Sequence, residues 1–178
     1  MMELFGGAED AGLLVLRVLV GVTFSLHGFQ KLFGWFGGGG LDGTARWFAS
    51  LGFGRGRIAA VMAGGGELTG GLGIALGLFT PFAAAAMIGV MTTAAFVNNA
   101  EKGFWSAGNG WELNGYLVVV ALAVAITGPG AYSLDAVLGL EQLSGIVPGL
   151  TAGILGVGLG WARWATRSTS ESEGSSDG

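Results

Sequence analysis

Five apolar stretches, residues 13–33, 58–79, 82–97, 113–127 and 146–164, divide this chain, and its charged side chains collect mostly in the gaps between them. A helix that crosses the hydrocarbon core of a bilayer takes about 20 apolar residues. No water is available there, so backbone N–H and C=O groups must bond one another, and a helix does this within one segment. The third and fourth stretches are short, which places their ends in the membrane interface. The expected fold is therefore all-α: an integral membrane helical bundle. Only 11% of the 178 residues are charged and the mean hydropathy is +0.64. Soluble domains carry about 25% charged residues, so water is not the main solvent for this surface.

Local signals mark the ends of the spans. Thr80-Pro81 makes a tight turn between the second and third, and Gly128-Pro129-Gly130 ends the fourth. Trp111 and Tyr116, with Trp161 and Trp164, suit an aromatic belt at the interface. The leading residues 1–12 hold Glu3, Glu9 and Asp10 but no Lys or Arg, so the first span does not read as a signal peptide. Residues 168–178 are mostly Ser, Glu, Gly and Asp, and are expected to form a disordered acidic tail.

Charge sets the orientation. Arg46, Arg55 and Arg57 lie in the first loop with Lys31 just before it, Lys102 lies in the third loop, and Arg163 and Arg167 close the fifth span. With five spans, all of these fall on one side. The N-terminus and residues 129–145 fall on the other, without Lys or Arg. The positive-inside rule then predicts a multi-pass protein of the plasma membrane with its N-terminus outside and its C-terminus cytoplasmic. Residues 1–12 become an extracytoplasmic segment, and residues 139–167 a linker and an additional transmembrane helix.

Glycine, at 37 residues, is too common for water-soluble helices, but it lets helices pack closely in lipid. Gly66, Gly70, Gly73 and Gly77 in the second span, and Gly149, Gly153, Gly156 and Gly160 in the fifth, each trace one helical face. Packing within one bundle is the plain expectation. A homo-oligomer through a Gly-rich face, above all that of the fifth span, is the alternative.

Ionisable groups inside the spans are costly and point to ion pairing, proton handling or ligand binding. Glu67 lies near the middle of the second span. By helical rise it sits about 15 Å above the inner end of its helix, and His27 about 9 Å above the inner end of the first. Side chains lean toward the N-terminus of their helix, so these two lean toward each other and are expected within hydrogen-bonding reach. Lys31, Asn98, Glu112 and Asn114 fall in the same half of the membrane, and all six could converge on one cavity among four helices. Glu67 is then either a hydrogen-bonded core carboxyl or a proton or ligand site. Arg17 lies about 24 Å above the inner end and leans outward, where an ion pair with Asp135 would tie the first span to the end of the fourth.

The first span reads Leu16-Arg17-Val18, Gly21 and His27-Gly28-Phe29-Gln30-Lys31-Leu32. The second reads Gly66-Glu67-Leu68-Thr69-Gly70-Gly71-Leu72 and Leu76-Gly77-Leu78-Phe79-Thr80-Pro81. The fourth opens on Trp111-Glu112-Leu113 and closes on Gly128-Pro129-Gly130-Ala131-Tyr132-Ser133-Leu134-Asp135. In order and spacing these motifs resemble the DoxX family of small prokaryotic membrane proteins, over residues 13–138. The resemblance implies a DoxX-like four-helix core, to which this chain adds a fifth C-terminal transmembrane helix. It also implies an association with quinone-linked oxidoreductases, the family name coming from a subunit of a thiosulfate:quinone oxidoreductase.

The chain has no Cys, and His27 is its one His, so no iron–sulfur cluster, c-type haem, bis-His haem or structural zinc site is expected in a single copy, and no other metal. Redox chemistry would need an organic cofactor or a partner subunit. The leading expectation is a quinone-interacting subunit of a membrane oxidoreductase complex, working with a second oxidoreductase subunit that carries the electrons. His27 and Lys31 are candidate donors to quinone, Glu67 a candidate proton relay, and Glu112 and Asn114 candidate assistants. The alternatives are a small-solute transporter and a membrane scaffold without catalysis. The bilayer is the expected surrounding, and no nucleic-acid partner is expected.

Overall fold

The structure, a computed structural model, describes residues 3–167, and the expected acidic tail lies outside the described residues. The helices are α1 (Glu3–Phe33), α2 (Gly40–Ser50), α3 (Gly56–Leu76), α4 (Thr80–Ala94), α5 (Glu112–Thr127), α6 (Leu134–Val137) and α7 (Ile146–Ala165). Every expected span coincides with a helix, and the described residues hold no strand. Residues 7–33, 56–76, 80–97 and 146–165 are long and apolar enough to cross a membrane, while α5 is shorter. Large apolar side chains such as Leu19, Phe82, Val119 and Ile154 stand outward, as lipid-facing positions do.

Two elements differ from the sequence expectation. Helix α1 starts well before residue 13. Its 31 residues span about 46 Å at helical rise, so its first turns project beyond the hydrocarbon. There Asp10 accepts a hydrogen bond from the Ala131 backbone N–H at 2.9 Å. The connection over residues 34–57 is not a plain loop. It forms a 3₁₀ turn, Trp35–Gly37, and the amphipathic helix α2. Phe48 of α2 packs with Phe53, Ala59 and Ala60 in a small second core, and the Thr44 hydroxyl donates to the Lys31 carbonyl at 3.1 Å.

The main core gathers Phe24 of α1, Ile74 of α3, Met87 and Ile88 of α4, and Val124 and Ala125 of α5. This is the expected four-helix arrangement. Helix α1 approaches α3 very closely: a Cβ at Gly28 would come within 2.6 Å of Leu68 N and 2.7 Å of the Gly64 carbonyl oxygen. Both expected glycine stripes are taken up inside the chain. Gly70 and Gly73 lie against Ala83 of α4. Gly149 lies against Ile126 of α5, and Gly156 and Gly160 against Ile88, Gly89 and Thr92 of α4. Thr93 donates to the Gly160 carbonyl at 3.1 Å, which fixes α7 on α4. Neither stripe is left over as a face between copies.

The turn between α3 and α4 is tightly specified. Gly77 ends α3 in the left-handed region (φ 61°), where only glycine is unstrained, and a Cβ there would also overlap Arg17 Nη1. Pro81 opens α4, where its missing N–H costs nothing.

Candidate functional site: a cavity between helices

Glu67 sits in mid-α3 with only 3% of its surface exposed. Lys31, in the last turn of α1, donates through Nζ to both of its carboxylate oxygens, at 2.6 and 2.7 Å. The close α1–α3 approach at Gly28 and Gly64 brings the two helices near enough for this contact. A carboxylate taken out of water is expensive unless a cation and hydrogen bonds compensate it, and Lys31 supplies both.

This ion pair lines a cavity of about 460 Å³, a size usual for small-molecule sites. Helices α3, α4 and α7 form its walls and α2 contributes Trp47 and Phe48. Most of the lining is apolar. The charged side chains are Lys31, Glu67 and Arg163, and the Thr93 hydroxyl is already engaged with the Gly89 and Gly160 carbonyls. Glycines at 66, 89 and 160 line the space without side chains. The result is an apolar slot with a small polar group of residues, suited to a molecule with a polar head and an apolar body.

The expected cluster of six is divided. Lys31 and Glu67 come together. His27 stands on an exposed face of α1, its Nδ1 3.1 Å from the Gln30 Oε1, so the expected His27–Glu67 hydrogen bond is replaced by the Lys31–Glu67 pair. The reason is azimuth. Arg17, Gly21, Phe24, Gly28 and Lys31 form one stripe at helical spacing, and His27 lies about 100° from its Gly28 neighbour around the helix. Glu112 caps the connection before α5, accepting from Ser106 N at 2.8 Å. Asn114 donates to Met91 Sδ at 3.6 Å. Neither Glu112 nor Asn114 lines the cavity. The side chain of Asn98 lies outside the described residues.

Arg17 and Asp135 are both fully buried, but they do not form the expected direct ion pair. Arg17 donates to the carbonyls of Tyr132 (2.7 Å), Ala75 (3.3 Å) and Ile74 (3.4 Å). Asp135 accepts from Phe79 N (2.8 Å), Thr80 N (3.0 Å) and Thr80 Oγ1 (2.6 Å). Unmade bonds at the two helix ends outcompete a direct contact. These residues brace the fold at the end of the molecule away from Lys31.

Sequence reasoning passed over Arg163, Trp47 and Phe53, all at the cavity. A signal for Arg163 was present. It continues the stripe of Gly149, Gly153, Gly156 and Gly160 by one more helical step, so it had to face the bundle.

Comparison with known proteins agrees with the fold. The DoxX family model matches residues 12–100, which cover most of α1 and all of α2, α3 and α4. "Inner membrane protein YphA" of Escherichia coli is 33% identical over 141 residues, 74% of this chain and 93% of that protein. "Putative oxidoreductase CatD" of Bacillus subtilis is 31% identical over 137 residues, 71% of this chain and 86% of that protein. "Inner membrane protein YqjF" of Escherichia coli is 31% identical over 132 residues, 73% of this chain and 94% of that protein. No solved structure matches the chain significantly.

Proposed function

The chain belongs to the DoxX family and is a multi-pass membrane protein, and from that premise we propose that its cavity binds the head group of a quinone. In this reading it is the quinone-interacting subunit of an oxidoreductase of the cell membrane, with its Lys31 end toward the cytoplasm. The observation that carries the reading is the Lys31–Glu67 pair: a buried carboxylate and its cation in the wall of a mostly apolar slot. The name of the Bacillus subtilis relative supports an oxidoreductase setting, and the names of the Escherichia coli relatives support the membrane.

The residues present fit such a ligand. A bound quinone would supply two-electron, two-proton chemistry. Lys31 has three N–H groups. With two turned to Glu67, the third is free to donate to a carbonyl oxygen in the cavity. Glu67 holds or releases a proton at a carboxylate oxygen beside that head group, and Lys31 steadies its charged form. Trp47 and Phe48 offer ring surface, and the faces of α3 and α4 hold an apolar tail. Electrons enter from a partner subunit.

Trp47 provides the test. Titration of the purified protein with a short-chain quinone is expected to quench tryptophan fluorescence saturably. Trp47→Phe should remove most of that signal, and Lys31→Met should weaken binding about tenfold, the scale of one charge-assisted hydrogen bond. Quenching that never saturates, or that is the same in Lys31→Met, would remove the basis for the reading.

A further inference from the structure

We infer that Arg163 makes this cavity selective for an acidic head group, so that an ionised ligand is held more tightly than a neutral one of the same skeleton. The inference rests on the reading of the cavity as a site for a ring head group with an apolar tail. It concerns α7, which lies beyond the residues matched by the family model.

The cavity holds two cations and one carboxylate. Glu67 spends both its oxygens on Lys31. Arg163 therefore has no carboxylate partner among the described residues. Its guanidinium carbon lies 4.6 Å from the centroid of the Phe53 ring, and Nη1 donates to Thr166 Oγ1 at 3.2 Å. These contacts leave most of its five N–H donors uncommitted. Phe53 is itself only 1% exposed, so the ring is a fixed platform. A guanidinium held over a ring by its carbon still has N–H donors to offer a planar, two-oxygen anion.

Placement of this charge follows from packing. Gly160, one helical turn before Arg163, lies so close to α4 that a Cβ there would come within 2.6 Å of the Gly89 carbonyl oxygen. That approach brings the last turn of α7 over the cavity beside Phe53. An uncompensated cation beside apolar walls has a stronger field than one in water. Its preferred ligand is an amphiphile whose head carries a delocalised negative charge, such as an enolate or carboxylate on a ring.

Two alkylated naphthoquinones of equal chain length test this. One carries a 2-hydroxy group, ionised at neutral pH, and the other a 2-methoxy group, which stays neutral. Binding is read by quenching of Trp47. Wild type is expected to hold the ionised probe about tenfold more tightly, as one charge-assisted contact would allow. Arg163→Gln should bring the two within about twofold, and Arg163→Lys, which keeps the charge but not the fork, should retain an intermediate preference. Equal binding by wild type, which requires no variant to fold, overturns the inference, as does a preference that survives in Arg163→Gln. In either case saturable binding of the neutral probe leaves the cavity reading in place. Saturable binding of neither probe overturns both.

Discussion

Arg17 and Asp135 are both withdrawn completely from solvent and serve the same turn, yet they bind its opposite halves and not each other. The last turn of α3 presents carbonyls without helical partners, and the first turn of α4 presents unpaired N–H groups. Arg17 meets the carbonyls of Ile74 and Ala75. Asp135 meets the N–H groups of Phe79 and Thr80, and its own N–H donates to the Gly77 carbonyl at 2.8 Å. A cation at a helix C-terminus and an anion at an N-terminus is the arrangement the helix dipoles favour. The two charges neutralise each other across the turn and tie α1, α3, α4 and α6 together at one end.

Removing the Asp135 carboxylate should therefore be costly. Asp135→Ala strips the acceptors from two backbone donors and one hydroxyl, and leaves Arg17 buried without a nearby counter-charge. A loss of about 3 kcal/mol is expected. Thr80→Val removes a single hydrogen bond and should cost about 1 kcal/mol. Thermal unfolding in detergent will rank the two. A smaller effect for Asp135→Ala than for Thr80→Val would show that the carboxylate does not organise the turn.

A double-mutant cycle on Lys31 and Glu67 should show strong coupling. Lys31→Met strands a carboxylate in an apolar setting, and Glu67→Gln leaves an ammonium facing an amide. With both changed, neither charge is stranded. The coupling is expected to be about 2 kcal/mol, with the double variant more stable than Lys31→Met. Strict additivity would mean that the 2.6 Å contact contributes nothing to stability.

The five spans were legible because a bilayer demands long apolar runs, and such runs have few other readings. Helix α2 was not, because its apolar positions Leu41, Ala45 and Phe48 make one short stripe in a glycine-rich segment, and it forms by docking on α3. The site was half legible. Depth along a helix comes directly from residue number, which placed Lys31, His27 and Glu67 at similar levels. Facing requires the azimuth as well, and that turns His27 away while aligning Lys31 with Gly21 and Gly28. Glu112 and Asn114 lie at the right level too, but their bonds run to Ser106 and Met91.

Glycine position, more than glycine content, should control packing. Gly28→Ala places a methyl against the α3 backbone, where no side chain can move aside. The expected cost is about 2 kcal/mol, as for overpacking elsewhere. At Gly65 of the facing helix a Cβ meets nothing within 4 Å, so Gly65→Ala should be neutral or slightly stabilising through helix propensity. Unfolding midpoints in detergent will compare them. Equal effects would mean that the close α1–α3 approach is not a stability determinant.

Which end of the molecule faces the cytoplasm decides where protons and partners reach the cavity. Lys31, Arg55, Arg57 and Arg163 lie at the same end as α2, while Asp10 and Asp135 lie at the other. The cation-rich end should stay inside. Because the chain contains no cysteine, single cysteines report topology without background. Val137, 78% exposed at the acidic end, replaced as Val137→Cys, should react with an impermeant maleimide in intact cells. Ser50→Cys, at the exposed end of α2, should react only after permeabilisation. That pattern puts the Lys31–Glu67 pair in reach of cytoplasmic protons. The reverse pattern would open the Lys31–Glu67 pair to the outside.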